Sequence, residues 1–259
     1  RWNDGGSGKK VLLISSAMQD SSIGSFCQSV RPVTVIRRIS PFLHLQAILI
    51  SLIWICWRLK GFWIKRYVSV NWGDDVSRID YGRLYEQRYP VLKLAAKRFL
   101  ENEPEDFETF CELQAFWLED YALFMTLKDT HGGCSWWQWE DELKRRDHSA
   151  IDKVRETMAE QIAFWKVLQY FFFRQWKSLK QYVNDKGIDF IGDLPIYVSQ
   201  DSVDVWAHPE LFQLDENLMP KEVSGCPPDG FSATGQLWGG NPLFDWDKMA
   251  EDDLCMVGW

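Results

Sequence analysis

The reading of the chain turns on one stretch, Ile188-Asp-Phe-Ile-Gly-Asp-Leu-Pro-Ile-Tyr-Val198. Ile188 to Ile191 is a short run, apolar but for Asp189, that ends in Gly192-Asp193, and a second short run follows at once. A strand, then a carboxylate, then a loop is the natural reading. In a β/α barrel the polar residues at the carboxyl ends of strands face the active site, which makes Asp193 the first functional candidate. A turn or helix-cap aspartate is the competing explanation.

Working outward from that strand, the residues on its amino-terminal side are helical. From Asp80 to Asp185, apolar residues recur at intervals of three and four. Tyr81 to Phe99 carries one such stripe, with Pro90 expected near a kink or break. Phe107, Phe110, Leu113, Phe116 and Trp117 continue the spacing, and Gly132-Gly133 breaks it. A third stripe, from Val154 through Trp165 and Phe172 to Val183, reads as inter-helix core. On the carboxyl-terminal side, Gln200 to Trp246 reads as loop-rich, punctuated by Pro227-Pro-Asp-Gly230, Gly235, Gly239-Gly240 and Asn241-Pro242. A long loop inside a compact domain is usually functional.

Composition narrows the function. The chain has 259 residues, 46% of them hydrophobic, which is enough for a sizeable core. With 29 basic against 37 acidic side chains and a net charge of −8, it has no basic footprint for nucleic acid or an anionic membrane. Fifteen Trp, 16 Phe and 8 Tyr suit a dense core, and they equally suit sugar rings, whose CH faces pack on aromatic planes. Six cysteines without a C-x-x-C pair, and no secretory leader pattern, predict reduced thiols and a cytoplasmic protein. Four isolated histidines give no metal-ligand spacing, so neither a metal nor a cofactor is expected.

Four ordered blocks carry a resemblance. Ile191 to Val198, Asp201-Ser-Val-Asp-Val-Trp-Ala-His-Pro-Glu-Leu-Phe212, Pro227-Pro-Asp-Gly-Phe-Ser-Ala-Thr-Gly-Gln-Leu-Trp238 and Asn241-Pro-Leu-Phe-Asp-Trp246 closely resemble the amylomaltases, the 4-α-glucanotransferases of glycoside hydrolase family 77. Trp117-Leu-Glu-Asp-Tyr-Ala-Leu-Phe124, His131-Gly-Gly133 and Phe173-Arg-Gln-Trp-Lys-Ser-Leu-Lys180 look like the helical region this family inserts into its barrel. Val11 to Ser16, with Ile23-Gly-Ser-Phe26, looks like the first barrel strand and its loop. The resemblance implies an α/β fold, a partial (β/α)8 TIM barrel with a large helical insertion. It divides the chain into a first strand and loop (1–30), an unmatched segment (31–70), a helical subdomain (71–185) and a barrel strand with a substrate-binding loop (186–259).

The unmatched segment has its own signature. Arg31 to Val70 contains no Asp or Glu and seven basic residues, and Leu45 to Trp57 is an apolar run of 13. That is short of the about 18 to 20 residues needed to span a membrane. Reading Gln46 to Arg58 from the third base of each codon permits Gly-Asn-Pro-Tyr-Phe-Ile-Asp-Leu-Asp-Met-Leu-Ala, the kind of segment the family carries before its helices. A reading-frame error over about 31–68, and another after 253, is therefore expected, with resequencing of the locus as the test.

The resemblance also implies what the chain does: transfer of α-1,4-glucan segments between maltodextrins derived from starch or glycogen, by a retaining double displacement. That chemistry needs two carboxyl groups about 5 to 5.5 Å apart. In this family they lie on later barrel strands, so the expectation is an N-terminal fragment whose catalytic carboxylates fall beyond Trp259. Asp74-Asp75, Glu140-Asp-Glu142 and Glu251-Asp-Asp253 read instead as solvated charges. What remains is substrate binding: Asp229 and Gln236 for sugar hydroxyls, Phe231 and Trp238 for apolar sugar faces, and Asp193 at the bottom of the cleft. Gly230 and Ala233 depart from the family pattern and are expected to loosen the loop. The alternatives are a non-catalytic glucan-binding remnant or a membrane-associated protein held by 45–57.

Overall fold

The computed structural model describes residues 10–13, 81–101, 104–191 and 197–251. The expected frame-error segments, the apolar run 45–57 and Asp193 lie outside these residues. Two strands, β1 (Lys10–Leu13) and β2 (Ile188–Ile191), pair in parallel, with Lys10 opposite Ile188 and Leu13 opposite Ile191. Parallel neighbours require a crossover, and among the described residues six helices, α1 to α6, lie between them in sequence. The architecture is mixed α/β.

Those helices are α1 (Tyr81–Leu100), α2 (Glu105–Leu113), α3 (Ala115–Thr130), α4 (Asp141–Lys144), α5 (His148–Thr157) and α6 (Ala159–Asn184). Helix α1 runs through Pro90 without a break. Pro90 is exposed, so its ring occupies the outer face and the core-facing Leu92, Ala95 and Ala96 stay in register. Helix α6 packs chiefly on α3, which is buried nearly all round from Trp117 to Leu127, and the Trp165 ring meets Tyr121 edge-on with centroids 6.5 Å apart. Toward its carboxyl end the expected stripe becomes accessible: Leu179 is 43% exposed, and Trp176 turns to Phe190 of β2, ring centroids 5.2 Å apart. The helix stops at Asn184. Gly187, at φ +69°, donates its amide to the Asn184 carbonyl at 2.8 Å and redirects the chain into β2.

Much of the aromatic content is core. Phe99, Phe107, Phe110, Tyr170 and Phe171 form a chain of edge and tilted contacts with centroids 5.0–5.6 Å apart. The Tyr170 hydroxyl donates to Asp106 at 2.7 Å and accepts from Arg174 at 2.9 Å. Trp117, Trp136, Trp139, Trp165 and Trp206 are all buried. At a cost of about 3–5 kcal/mol for each such ring truncated to alanine, they dominate cohesion. Leu113 and Phe116, expected on the apolar stripe, are instead more than half exposed, because Gln114 interrupts α2 and α3 and rotates the faces apart.

Gln200 and the residues that follow it are clamped onto this bundle. Asp201 pairs with Lys128 of α3 and accepts from Ser135 Oγ and the Trp136 amide at 3.4 Å each. Trp136 Nε1 donates to the Gln200 carbonyl at 2.7 Å. Helix α7 (Val203–Ala207), capped by Ser202 Oγ, buries Trp206, whose Nε1 donates to the Leu143 carbonyl at 3.0 Å. The region expected to be mostly loop then forms an antiparallel hairpin, β3 (Val223–Cys226) with β4 (Gln236–Pro242), before α8 (Trp246–Glu251). Neither strand alternates apolar and polar residues, so periodicity gave no sign of it. Among the described residues no helix is long and apolar enough to cross a membrane, and no cluster of three His, Cys, Asp or Glu side chains could hold a metal ion.

Candidate functional site

The hairpin is built around glycines. A Cβ on Gly225 would lie 2.5 Å from the Gln236 carbonyl oxygen, so the two strands approach closely only because that position carries none. Gly235 closes the connecting loop at φ +75°, where a Cβ would meet the Cys226 carbonyl oxygen at 2.6 Å. Between Gly225 and Val223 the register slips: Gly225 faces Leu237, but Val223 faces Pro242. The surplus residues of β4 include Gly239 and Gly240, both with positive φ, which absorb the bulge.

Four of the five residues singled out in the sequence sit on this hairpin. Asp229 Oδ1 accepts from the Phe231 amide at 2.8 Å and the Ser232 amide at 2.7 Å. The Asp229 amide donates to the Ser232 carbonyl at 2.9 Å, and Ser232 Oγ donates to the Gly235 carbonyl at 2.7 Å. At the tip of this hydrogen-bonded turn the Phe231 side chain is 98% exposed. On β4, Gln236 and Trp238 share a face, with Trp238 Nε1 donating to Gln236 Oε1 at 3.3 Å. The structure thus joins Asp229 to Phe231 through the turn and Gln236 to Trp238 through a side-chain bond. Asp193 is not among the residues described.

Tyr197, not expected among the binding residues from sequence, stands beside Trp238. Its ring lies edge-on to Trp238, centroids 6.0 Å apart at 61°, so the segment following β2 and the hairpin share an aromatic wall. The signal available in the sequence was only its place two residues after Pro195, close to a strand end. The Asp229 turn had a clearer signal: an aspartate followed by Gly230 and Ser232, the composition of a side-chain-stabilised turn.

The acidic run in the helical region is solvated, as expected: Glu140, Asp141 and Glu142 are exposed. Glu140 does have a partner, since His131 Nε2 lies 2.8 Å from its Oε2, while His131 Nδ1 lies 2.7 Å from the Leu127 carbonyl and the ring stacks on Trp139. Hydrogen bonds from its own amide and from His131 hold the Glu140 carboxyl below its ordinary value. This histidine fastens the end of α3 to the turn before α4.

A family model described as 4-alpha-glucanotransferase, glycoside hydrolase family 77, matches residues 17–256. The chain belongs to this family. Among curated relatives, the 4-alpha-glucanotransferase of Clostridium butyricum is 47% identical over 189 residues, covering 73% of this chain and 39% of that protein. That of Thermus thermophilus is 49% identical over 184 residues, covering 70% and 37%. The chloroplastic/amyloplastic 4-alpha-glucanotransferase of Solanum tuberosum is 40% identical over 181 residues, covering 68% and 31%. The chain therefore spans less than two fifths of the length of these relatives. Among solved structures, the amylomaltase of Streptococcus agalactiae in complex with acarbose superposes with a TM-score of 0.74 at 34% identity, covering 96% of this chain and 51% of that one. Membership in the 4-alpha-glucanotransferase family agrees with the resemblance read from the four sequence blocks.

Proposed function

We propose that this chain is part of a 4-α-glucanotransferase that passes α-1,4-glucan segments between maltodextrins, and that the β3–β4 hairpin holds the acceptor side of its glucan. The observation that carries the reading is the hairpin itself: an exposed Phe231 on its closed connecting turn, and on β4 Trp238 with its indole N–H tied to Gln236. A sugar ring offers CH patches and hydroxyls together, so a site for it alternates apolar faces with hydrogen-bonding groups. Phe231 and Trp238 supply the faces. Gln236, through its amide nitrogen, supplies a hydrogen-bond donor, and Asp229 lies on the turn that carries Phe231.

In this reading β1 and β2 are neighbouring strands of a partial (β/α)8 barrel, and α1 to α6 are the helical insertion between them. Asp193 follows β2 at the barrel's carboxyl edge, where it would bond a sugar hydroxyl or order a neighbouring carboxylate. The cleavage groups of a retaining double displacement belong, on this reading, to later barrel strands. Linear maltodextrin from starch or glycogen is the substrate, no cofactor is required, and free Cys134 and Cys226 suit a cytoplasmic setting.

The test is a titration of the protein with maltoheptaose, followed by tryptophan fluorescence. Saturable quenching that weakens several-fold in Phe231→Ala and Trp238→Ala is the expected result. Unchanged affinity in both variants would overturn the assignment of the hairpin.

A further inference from the structure

We propose that Asp229 is a positioning residue: its Oδ1 holds the loop in the one conformation that presents the Phe231 ring to a glucan. The inference rests on the glucan-binding reading above and assigns a distinct task to one oxygen of one side chain. Two observations carry it. First, Oδ1 is already committed, accepting from both the Phe231 and the Ser232 amides at 2.8 and 2.7 Å. Second, Phe231 is 98% exposed, and among the described residues no ring packs against it.

A phenylalanine left in water keeps all its apolar surface hydrated, and an unrestrained loop would fold it onto the nearest apolar patch. Here the backbone beneath the ring is fixed from three sides. Asp229 Oδ1 takes the Phe231 amide, the Asp229 amide bonds the Ser232 carbonyl at 2.9 Å, and Ser232 Oγ bonds the Gly235 carbonyl at 2.7 Å. Gly230 adds no stiffness, since a Cβ there would meet nothing within 4 Å. The restraint therefore comes from the Asp229 and Ser232 side chains. A ring whose backbone is ordered in advance loses less conformational entropy when a sugar packs on it, and the difference appears as affinity.

This role needs an acceptor oxygen and no charge. Asparagine supplies the same oxygen at the same place and forms the same turn. A carboxylate that bonded sugar hydroxyls as its main task would lose an acceptor in that exchange. The two roles thus separate on Asp229→Asn.

Maltoheptaose affinity is measured for the full chain and for D229N, D229A, F231A and D229A/F231A, with far-UV circular dichroism confirming the fold of each. F231A is expected to weaken binding about tenfold, equivalent to about 1.4 kcal/mol. D229A should weaken it several-fold, the double variant should bind no more weakly than F231A alone, and D229N should stay within about twofold of the parent. In amide hydrogen exchange, protection of the Phe231 and Ser232 amides should be lost in D229A and kept in D229N. D229N as weak as D229A, or additive losses in the double variant, would overturn the positioning role and leave the hairpin as a glucan site. No binding by the parent chain, or F231A equal to the parent, would overturn the glucan-binding reading on which it rests.

Discussion

The guanidinium carbon of Arg146 lies 4.3 Å from the ring centroid of Trp206, and its Nη2 donates to Asp120 Oδ1 at 2.6 Å. One side chain thereby ties α3, the turn after α4, and α7, which leads toward the hairpin. The tie is made from a strained backbone: Arg146 has φ +58°, a conformation that costs a residue with a Cβ about 1–2 kcal/mol.

The first prediction follows from that strain. Arg146→Ala should lower unfolding free energy by about 1–3 kcal/mol, through loss of the charge-assisted bond and the stacked guanidinium. Arg146→Gly loses the same contacts but relieves the positive φ, so it should be less destabilised than the alanine variant by about 1 kcal/mol. Urea unfolding of both variants checks the order. An alanine variant as stable as the glycine variant would mean that the backbone there carries no strain.

A second prediction concerns the hairpin glycines. Gly235→Ala places a Cβ 2.6 Å from a backbone oxygen at φ +75°, and Gly225→Ala places one 2.5 Å from another, so both should open the hairpin and cost most of the glucan affinity. Gly230→Ala meets nothing within 4 Å and should leave affinity unchanged or slightly raised, by stiffening the loop. Titration with maltoheptaose separates the three.

Acid sensitivity gives a third. Glu140 is held below its ordinary 4.5 by its own amide and by His131, and Asp147 below its ordinary 3.8 by the Ser149 hydroxyl and amide that it caps. A carboxyl whose folded value is depressed contributes stability that is fully present above its unfolded value and is lost as the pH falls through the folded one. Glu140→Gln should therefore flatten the decline in unfolding midpoint below about pH 4.5, and Asp147→Asn the decline below about pH 3.8, with little change in slope at neutral pH. Midpoints that fall equally steeply in the parent and both variants would show that these pairs do not couple to folding.

How far these features were legible in the sequence depended on what specified them. The helices were readable because Trp165, Leu168 and their neighbours recur with helical period and face one core. Strand β2 was readable from a short, mostly apolar run, Ile188-Asp-Phe-Ile191, bounded by glycines. The hairpin was not, because Gly225 and Gly235 specify it through backbone approach, which leaves no side-chain period. Pro90 does not break α1: it is exposed, so its cost falls on the solvent side of the helix, away from the core. On the hairpin the quoted motif picked out Asp229, Phe231, Gln236 and Trp238, yet it could not show that Asp229 bonds its own loop, nor that Tyr197 approaches Trp238.

The last prediction uses that approach. Trp238 is touched on two sides, by the Tyr197 ring at 6.0 Å and by Gln236 Oε1 at 3.3 Å from its indole nitrogen. Trp238→Phe keeps an aromatic face and the contact with Tyr197 but gives up the bond to Gln236, freeing that side chain to rotate. Trp238→Ala removes both, and the sugar-facing area with them. The expected order of maltoheptaose affinity is parent, then Trp238→Phe, then Trp238→Ala, with the alanine variant weaker by about tenfold. Cys226→Val provides the control: Cys226 sits on β3 opposite Gln236 but among the described residues contributes neither a ring nor a side-chain hydrogen bond to the group, and its near-isosteric replacement should change affinity by less than about twofold. A Trp238→Phe variant as weak as Trp238→Ala would show that the Gln236 bond, rather than the aromatic face, is what the glucan needs.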